Sequence, residues 1–515
     1  MADTAAPNPS RDADLLEARR AEETHAHETH ADETHADETL IEGPLYAKRR
    51  QLYVQKVDGT FRRIKWAVLV LTLGVYYLLP FVRWDRGPNA PDQAVLIDFP
   101  ARRFYFFFIE IWPQEIVYLT GLLILASFIL FLMNAVAGRV WCGYLCPQTV
   151  WTDLFLAVER FFEGDRRERI KLYNGGWTKE RVARSTGKHV TWLMIAWWTG
   201  GAWVLYFADA PTLVWELATL QAPAVAYVWI GILTFTTYTL AGFMREQVCT
   251  YMCPWPRIQA ALTDEHALNV TYKVDRGEPR GSMKKNKALI EKGEKAGDCI
   301  DCNQCVAVCP TGVDIRDGMQ LGCVQCGLCI DACDGVMEKI GRPKGLIAYD
   351  SEYNLERREA GLPEEKPKIV RARTILYAVL IVGISLFMIY HLAVRATLDV
   401  SALHDRNPVY VLLSDGSIRN AYTVRVANKA LEERTFTLSL EGLDAATVES
   451  VGTTNLDPDT LEVVIGPART RELRVLVTQT PVAGAPESRD VAFVLTAPDG
   501  AETAVARDHF IQPAR

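Results

Sequence analysis

Two stretches of this chain bring thiols together at a spacing that metal chemistry uses. "CIDCNQCVAVCP" carries Cys299, Cys302, Cys305 and Cys309, and "CVQCGLCIDACD" carries Cys323, Cys326, Cys329 and Cys333. Each run reads C-x2-C-x2-C-x3-C. Three thiolates on one tight loop can wrap three irons of a [4Fe-4S] cubane, while a fourth on the following helix reaches the companion cluster. Crossing the ligands assigns one cluster to Cys299, Cys302, Cys305 and Cys333 and the other to Cys323, Cys326, Cys329 and Cys309. Structural zinc needs only four thiolates per site, commonly as two CxxC pairs, so two complete runs of four argue against it. Gly312 and Gly327 stand where the chain must turn close to a bulky cofactor. The second run closes on Asp334 where the first has Pro310, a departure from the bacterial ferredoxin pattern that leaves the ligand count intact.

A second motif also occurs twice. "VWCGYLCPQTVW" holds Cys142, Cys146 and Pro147, and "QVCTYMCPWPRI" holds Cys249, Cys253 and Pro254; Tyr144 and Tyr251 share a slot. Both follow long apolar runs. Residues four apart share a face of a helix, so each pair is expected to point one way at the end of a span, with the proline breaking the helix behind it. If the two ends pack together, four sulfurs meet below the cluster-binding runs. Soft thiolates suit Cu(I) or an iron–sulfur centre, and paired thiols can also act as a disulfide relay. Buried structural cysteine is the plainer alternative. Repetition in the same setting favours a function, with Cys142, Cys146, Cys249 and Cys253 as the candidate catalytic residues.

All twelve cysteines of the 515-residue chain lie between Cys142 and Cys333. That clustering implies ligands kept reduced in a cytosol. Five stretches are long and apolar enough to span a bilayer: about Trp66 to Val82, Ile116 to Val136, Val190 to Phe207, Ala222 to Met244 and Ile375 to Val394. Lys and Arg crowd the flank before the first, the loop between the second and third, and the flank before the fifth. The loop from Ala208 to Gln221 has neither. By the positive-inside rule the N-terminus and every cysteine face the cytoplasm, and the C-terminal part lies outside. The aromatic segment from Asp92 to Ile111 is expected to lie in the outer interface. No cleavable signal peptide is expected, because the N-terminus lacks an apolar core.

The remaining segments bound the reading. Residues 1–44 form an acidic tail bearing His25, His27, His30 and His35, expected to be disordered, with weak metal scavenging as the sharper alternative. From about Ser401 the pattern turns to period two, in "YTVRVANKA", "TFTLSL", "ELRVLVTQT" and "VAFVLTAP", which predicts an immunoglobulin-like β-sandwich. His404 and His509 are solitary there. A formal charge of −7 with nearly balanced acids and bases makes no case for nucleic acid. His189 and His391 fall at opposite ends of their spans, so membrane haem is not expected, and no G-x-G-x-x-G opens a dinucleotide fold. The expected architecture is a multi-domain membrane protein. It comprises the tail, a transmembrane region over 45–254, a 2[4Fe-4S] ferredoxin domain over 255–372, a fifth transmembrane helix over 373–396, and the β-sandwich over 397–515.

The two "CxYxCP" segments, the paired cluster runs, "CPTGVDIRDGMQ", "CIDACDGVMEKIGRPKGLIAY" and "YTVRVANK" together resemble the CcoG/FixG/RdxA family of cytochrome c oxidase accessory proteins, from about Leu45 to the end. Asp334 is normal in that family; the His-bearing tail is not. The resemblance implies a polyferredoxin of the bacterial inner membrane with two [4Fe-4S] clusters. It implies reduction of Cu(II) to Cu(I) for assembly of a cbb3-type cytochrome oxidase. Oxidase subunits or their copper chaperones would be partners, alongside a cytoplasmic electron donor. Two other readings stand beside it: an electron-transfer subunit serving quinone or another respiratory reductase, and a non-catalytic assembly scaffold.

Overall fold

A computed structural model describes residues 51–482 and 485–513. The expected tail over 1–44 lies outside the described residues. The chain divides into two compact units. One is built mainly from residues up to Ser385. The other is built from Leu386 onward, with the short segments Arg83–Ala94 and Phe106–Ile109.

Among the described residues, four helices are long and apolar enough to cross a membrane: Thr60–Phe81, Pro113–Ala137, Ala224–Met244 and Ala372–Ala393. The stretch expected as the third span lies in helix Lys179–Val204, capped by Thr178, whose hydroxyl accepts the Arg181 N–H at 3.1 Å. Its Thr, Gly and Trp residues leave it less apolar than the other four. It runs antiparallel to Ala224–Thr237. A Cβ added at Gly200 would stand 2.9 Å from the Ile230 carbonyl, and His189 meets the Tyr238 hydroxyl at 3.0 Å towards the other end. The segment read as an interfacial stretch folds into three short strands, Val95–Asp98, Arg103–Phe106 and Ile109–Ile111.

The cluster-binding runs are bracketed by an antiparallel strand pair, Asn269–Tyr272 and Ile347–Asp350, with Val270 opposite Tyr349. Val270, Tyr272, Ile315, Ile330, Met337, Leu346 and Ile347 close a core that also takes in Cys299, Cys305 and Cys333. After the first run, helix Gln304–Ala307 is only one turn long, because Pro310 cannot continue it. The second run lacks that proline, so helix Leu328–Lys339 continues past Cys333. Asp334 then uses its carboxylate to accept the Gly345 N–H at 2.8 Å, anchoring the returning loop.

The C-terminal unit is the expected sandwich. One sheet orders Thr447–Ser450, Arg469–Gln479, Ile418–Asn428 and Leu398–His404, with Val411–Leu412 also paired to Ile418–Asn428. The other orders Thr454–Asp457, Thr460–Ile465, Arg434–Glu441, Ser488–Thr496 and Thr503–Ile511. Period-two patterning sends Tyr422, Val424 and Val426 to the same core as Phe436, Leu438, Val475 and Phe493. His404 bonds Asn420 at 2.7 Å, and His509 pairs with Asp490 at 2.9 Å, so the two histidines serve separate contacts.

Candidate functional site

The two cluster runs share one backbone plan. Asp301 and Asn303 flank Cys302 with φ of 51° and 56°; Gln325 and Gly327 flank Cys326 with φ of 53° and 73°. Left-handed residues on both sides of the middle cysteine curl each loop around a space. Each curl is braced differently. Arg316 holds the first, bonding Asp301 at 2.6 Å and Asn303 at 2.5 Å. Gln325 braces the second, accepting the Arg139 N–H at 2.7 Å and donating to the Asn269 side chain.

The chain crosses over between the loops. Cys309 lies among the charges acting on Cys323, Cys326 and Cys329, and Cys333 lies among Cys299, Cys302 and Cys305. Cys305, Cys309, Cys323, Cys326 and Cys329 line one partly open cavity. Burial pushes Cys323 and Cys333 up to about 12 and Cys305 to about 11, and raises Cys326 and Cys329 as well. Crowded, dehydrated thiols of this kind become stable thiolates when iron supplies the compensating charge. The donor set, the curled loops and the cavity fit a cubane in each group.

The membrane-edge cysteines are carried differently from the helical pairs expected. Pro113–Ala137 ends at Gly138 (φ 51°, ψ −123°), and Ala224–Met244 ends at Arg245 (φ 40°, ψ −109°). Each break falls four residues before the first cysteine of its motif. Cys142 then sits in the short helix Val140–Tyr144 and Cys249 in a π-helical turn, Val248–Met252. Cys146 and Cys253 are extended. No pair shares one continuous helix face. Nor do the prolines end the spans: Pro147 opens helix Pro147–Glu163, and Pro254 precedes Trp255–Leu262. A proline's fixed φ and missing N–H suit a helix start as well as they oppose its interior.

The four sulfurs are nonetheless neighbours. Cys142 is pushed up to about 12 by burial and then by Cys146 and Cys249, with Cys253 also acting on it. Cys249 is pushed to about 11 by burial and then by Cys146 and Cys253. Cys253 alone of the four is exposed. The Cys142 thiol donates to Gln259 at 3.2 Å. Among the described residues no three His, Cys, Asp or Glu side chains converge tightly enough to grip a single ion.

The two motifs do unequal work. In the first, a Cβ on Gly143 would stand 2.7 Å from the Val324 carbonyl and 3.1 Å from Cys326 Cα, so the bare backbone is what lets the motif touch the cluster loop. The buried Tyr144 hydroxyl donates to the Cys326 carbonyl at 2.9 Å. In the second motif those positions are Thr250 and Tyr251, and Tyr251 is 76% exposed. Arg139 ties the parts together, donating to the carbonyls of Leu321 at 2.6 Å, Cys323 at 3.3 Å and Pro256 at 2.8 Å. Asp331, inside the second cluster run, accepts the Phe61 and Arg62 N–H groups at 3.2 and 2.8 Å and so caps the first membrane helix. Sequence reasoning missed Arg139, Gln325 and Asp331. The available signal was asymmetry between repeats: Asp331 stands where the first run has Ala307, and Gly143 where the second motif has Thr250.

Comparison with known proteins matches this division. A 4Fe-4S dicluster domain matches residues 244–352, and an Ig-like fold found at the C-terminus of FixG matches residues 388–513. A further 4Fe-4S binding domain matches residues 119–163, which contain Cys142 and Cys146 and no other cysteine. Nitrogen fixation protein FixG of Rhizobium meliloti is 50% identical over 463 residues, covering 85% of this chain and 88% of that one. Protein RdxA of Cereibacter sphaeroides is 49% identical over 474 residues, covering 89% and 99%. Protein RdxB of the same organism is 51% identical over 398 residues, covering 77% and 83%. The crystal structure of a FixG-related protein from Vibrio parahaemolyticus aligns over 23% of this chain and 100% of that one, at 19% identity and a TM-score of 0.20.

Proposed function

Since the chain belongs to the FixG/RdxA family and is a membrane iron–sulfur electron-transfer protein, we propose that it reduces Cu(II) to Cu(I) at its membrane-edge cysteines, for assembly of a cbb3-type cytochrome oxidase. The single observation carrying this reading is the contact of Gly143 and Tyr144 with the Val324–Cys326 backbone, which sets a ligand-bearing loop directly against Cys142. Bound cubanes would supply single electrons, which is what the Cu(II)/Cu(I) couple takes up. Cys299, Cys302, Cys305 and Cys333 would hold one, and Cys323, Cys326, Cys329 and Cys309 the other. Soft sulfur at Cys142, Cys146, Cys249 and Cys253 favours the Cu(I) product. The exposed Cys253 suits entry or release of the ion. Loop charge supports a cytoplasmic N-terminus and clusters and a periplasmic sandwich, which would meet oxidase subunits or their copper chaperones.

Protein purified anaerobically and reduced with dithionite should reoxidise when Cu(II) is added. The variant with Cys142, Cys146, Cys249 and Cys253 all changed to Ser should keep its clusters and respond slowly. Cluster spectra indifferent to copper would sink the proposal, and reoxidation by a quinone analogue alone would put quinone in copper's place.

One observation favours a second reading of the four sulfurs. The 4Fe-4S match over 119–163 includes only two thiols, and Cys249 and Cys253 would complete a set of four. Iron analysis separates the two. Two cubanes give about eight irons per chain and three give about twelve, with the fourfold Ser variant falling back to about eight in the second case.

A further inference from the structure

Two basic side chains of the first membrane helix, Arg62 and Lys65, are nearly out of water, at 5% and 3% exposure. Buried cations are unfavourable without partners. Here one carboxylate serves both. Arg62 Nη1 reaches the two Asp153 oxygens at 3.1 and 3.0 Å, and Lys65 Nζ lies 3.3 Å from the second of them. Asp153 is itself 3% exposed, on helix Pro147–Glu163. Lys65 also lines a small, partly open cleft. Cys249 faces the same cleft from the second membrane-edge motif, and Pro310, Thr311 and Val324 face it from the cluster loops. Lys65 is the strongest cationic influence on Cys326 and acts on Cys249 too. It does not figure among the leading charges at Cys305 or Cys333.

We propose that Lys65 is a positioning residue for electron transfer, a buried positive charge between the Cys326 loop and Cys249 that would raise the potential of a cluster held by Cys323, Cys326, Cys329 and Cys309. Reduction adds one electron, and one unit of negative charge, to the cluster and its four thiolates. A fixed cation in a low-dielectric surround stabilises that added charge in proportion to its closeness. Thr311 and Val324, which border the Cys323, Cys326, Cys329 and Cys309 group, line the same cleft as Lys65. Asp153 works in the opposite direction at the same place, since its charge opposes that of Lys65 at Cys326. The inference rests on the reading that these thiols hold cubanes, and not on copper being the acceptor.

Full-length protein in detergent, titrated potentiometrically without copper and followed by electron paramagnetic resonance, tests it. In Lys65→Met one cluster should be harder to reduce, its reduced-to-oxidised ratio at a fixed potential dropping about tenfold, or about 59 mV for one electron. The other cluster should stay at its wild-type potential. Lys65→Arg should restore the wild-type value. Asp153→Asn should shift the same cluster the other way, which general loosening of the fold would not do. Wild-type potentials for both clusters in Lys65→Met, or shifts of the same sign in Lys65→Met and Asp153→Asn, overturn the proposal. Wild-type protein lacking iron and sulfide would instead sink the cluster reading, and a shifted cluster that ignores Cu(II) would sink only the copper reading.

Discussion

The duplicated tyrosine separates two residues that look equivalent in sequence. Tyr144 spends its hydroxyl on the Cys326 carbonyl, while Tyr251 is 76% exposed. Tyr144→Phe should therefore lower stability by about 0.5–1.5 kcal/mol, the worth of one hydrogen bond. Tyr251→Phe should stay within about 0.5 kcal/mol of wild type. Denaturant unfolding in detergent, read by loss of cluster absorbance, measures both; equal effects would contradict the docking described. The thiols are graded in the same way. Among the four membrane-edge thiols of metal-stripped protein, Cys253 should take maleimide first, being exposed, and Cys142 last, because burial holds its thiol up to about 12. Thiolate is the attacking form, so Cys142 labelling should quicken as pH rises towards that value. Peptide mass spectrometry reads the order, and Cys142 labelling ahead of Cys253 at neutral pH would count against this burial.

Helices and loops explain what the sequence could and could not disclose. Spans, sandwich strands and both cluster runs were legible because their signals are periodic or spaced: a long apolar run, a period of two, C-x2-C-x2-C-x3-C. The backbone under the membrane-edge motifs was not. Gly138 makes its break with no Cβ in the way, but Arg245 takes nearly the same conformation with a full side chain. Nothing local announces that. It is held from a distance, by Glu159 at 3.0 Å from the guanidinium. Contacts between remote segments have no local pattern either, and Asp331 is the clearest case, lying 270 residues from the Phe61 N–H it accepts. A carboxylate capping a helix is worth about 0.5–2 kcal/mol, so Asp331→Ala should lose that much. Asp331→Asn should lose less, since an amide oxygen still accepts but carries no charge towards the helix dipole. Because the cap joins the cluster domain to the first membrane helix, proteolysis between the two should also speed up in Asp331→Ala; an unaltered rate would mean the other contacts hold the domain alone.

At the scale of the whole chain, the open matter is how often it crosses the bilayer, and the sulfurs bear on it. Cys142 follows the C-terminal end of Pro113–Ala137, and Cys249 follows the C-terminal end of Ala224–Met244. If only the four most apolar helices crossed, a single crossing would separate the motifs and put them on opposite faces. Yet Cys249 acts on Cys142, and Arg139 beside the first motif bonds Pro256 beyond the second. On the proposed five-span topology both motifs share a face and helix Lys179–Val204 crosses as well, despite its Thr, Gly and Trp residues. Its pairing along Ala224–Thr237 supports that: Gly200 lets the two backbones come close, and Trp192 is buried. The proposed five-span topology expects the C-terminus outside and the basic loop inside, the arrangement that loop charge favours. Alkaline phosphatase fused after Arg515 should be active and green fluorescent protein there dark, with the reverse for fusions in the basic loop near Gly176. Fluorescence at both places would mean four crossings, and the adjacency of the two motifs would then have no membrane geometry to support it.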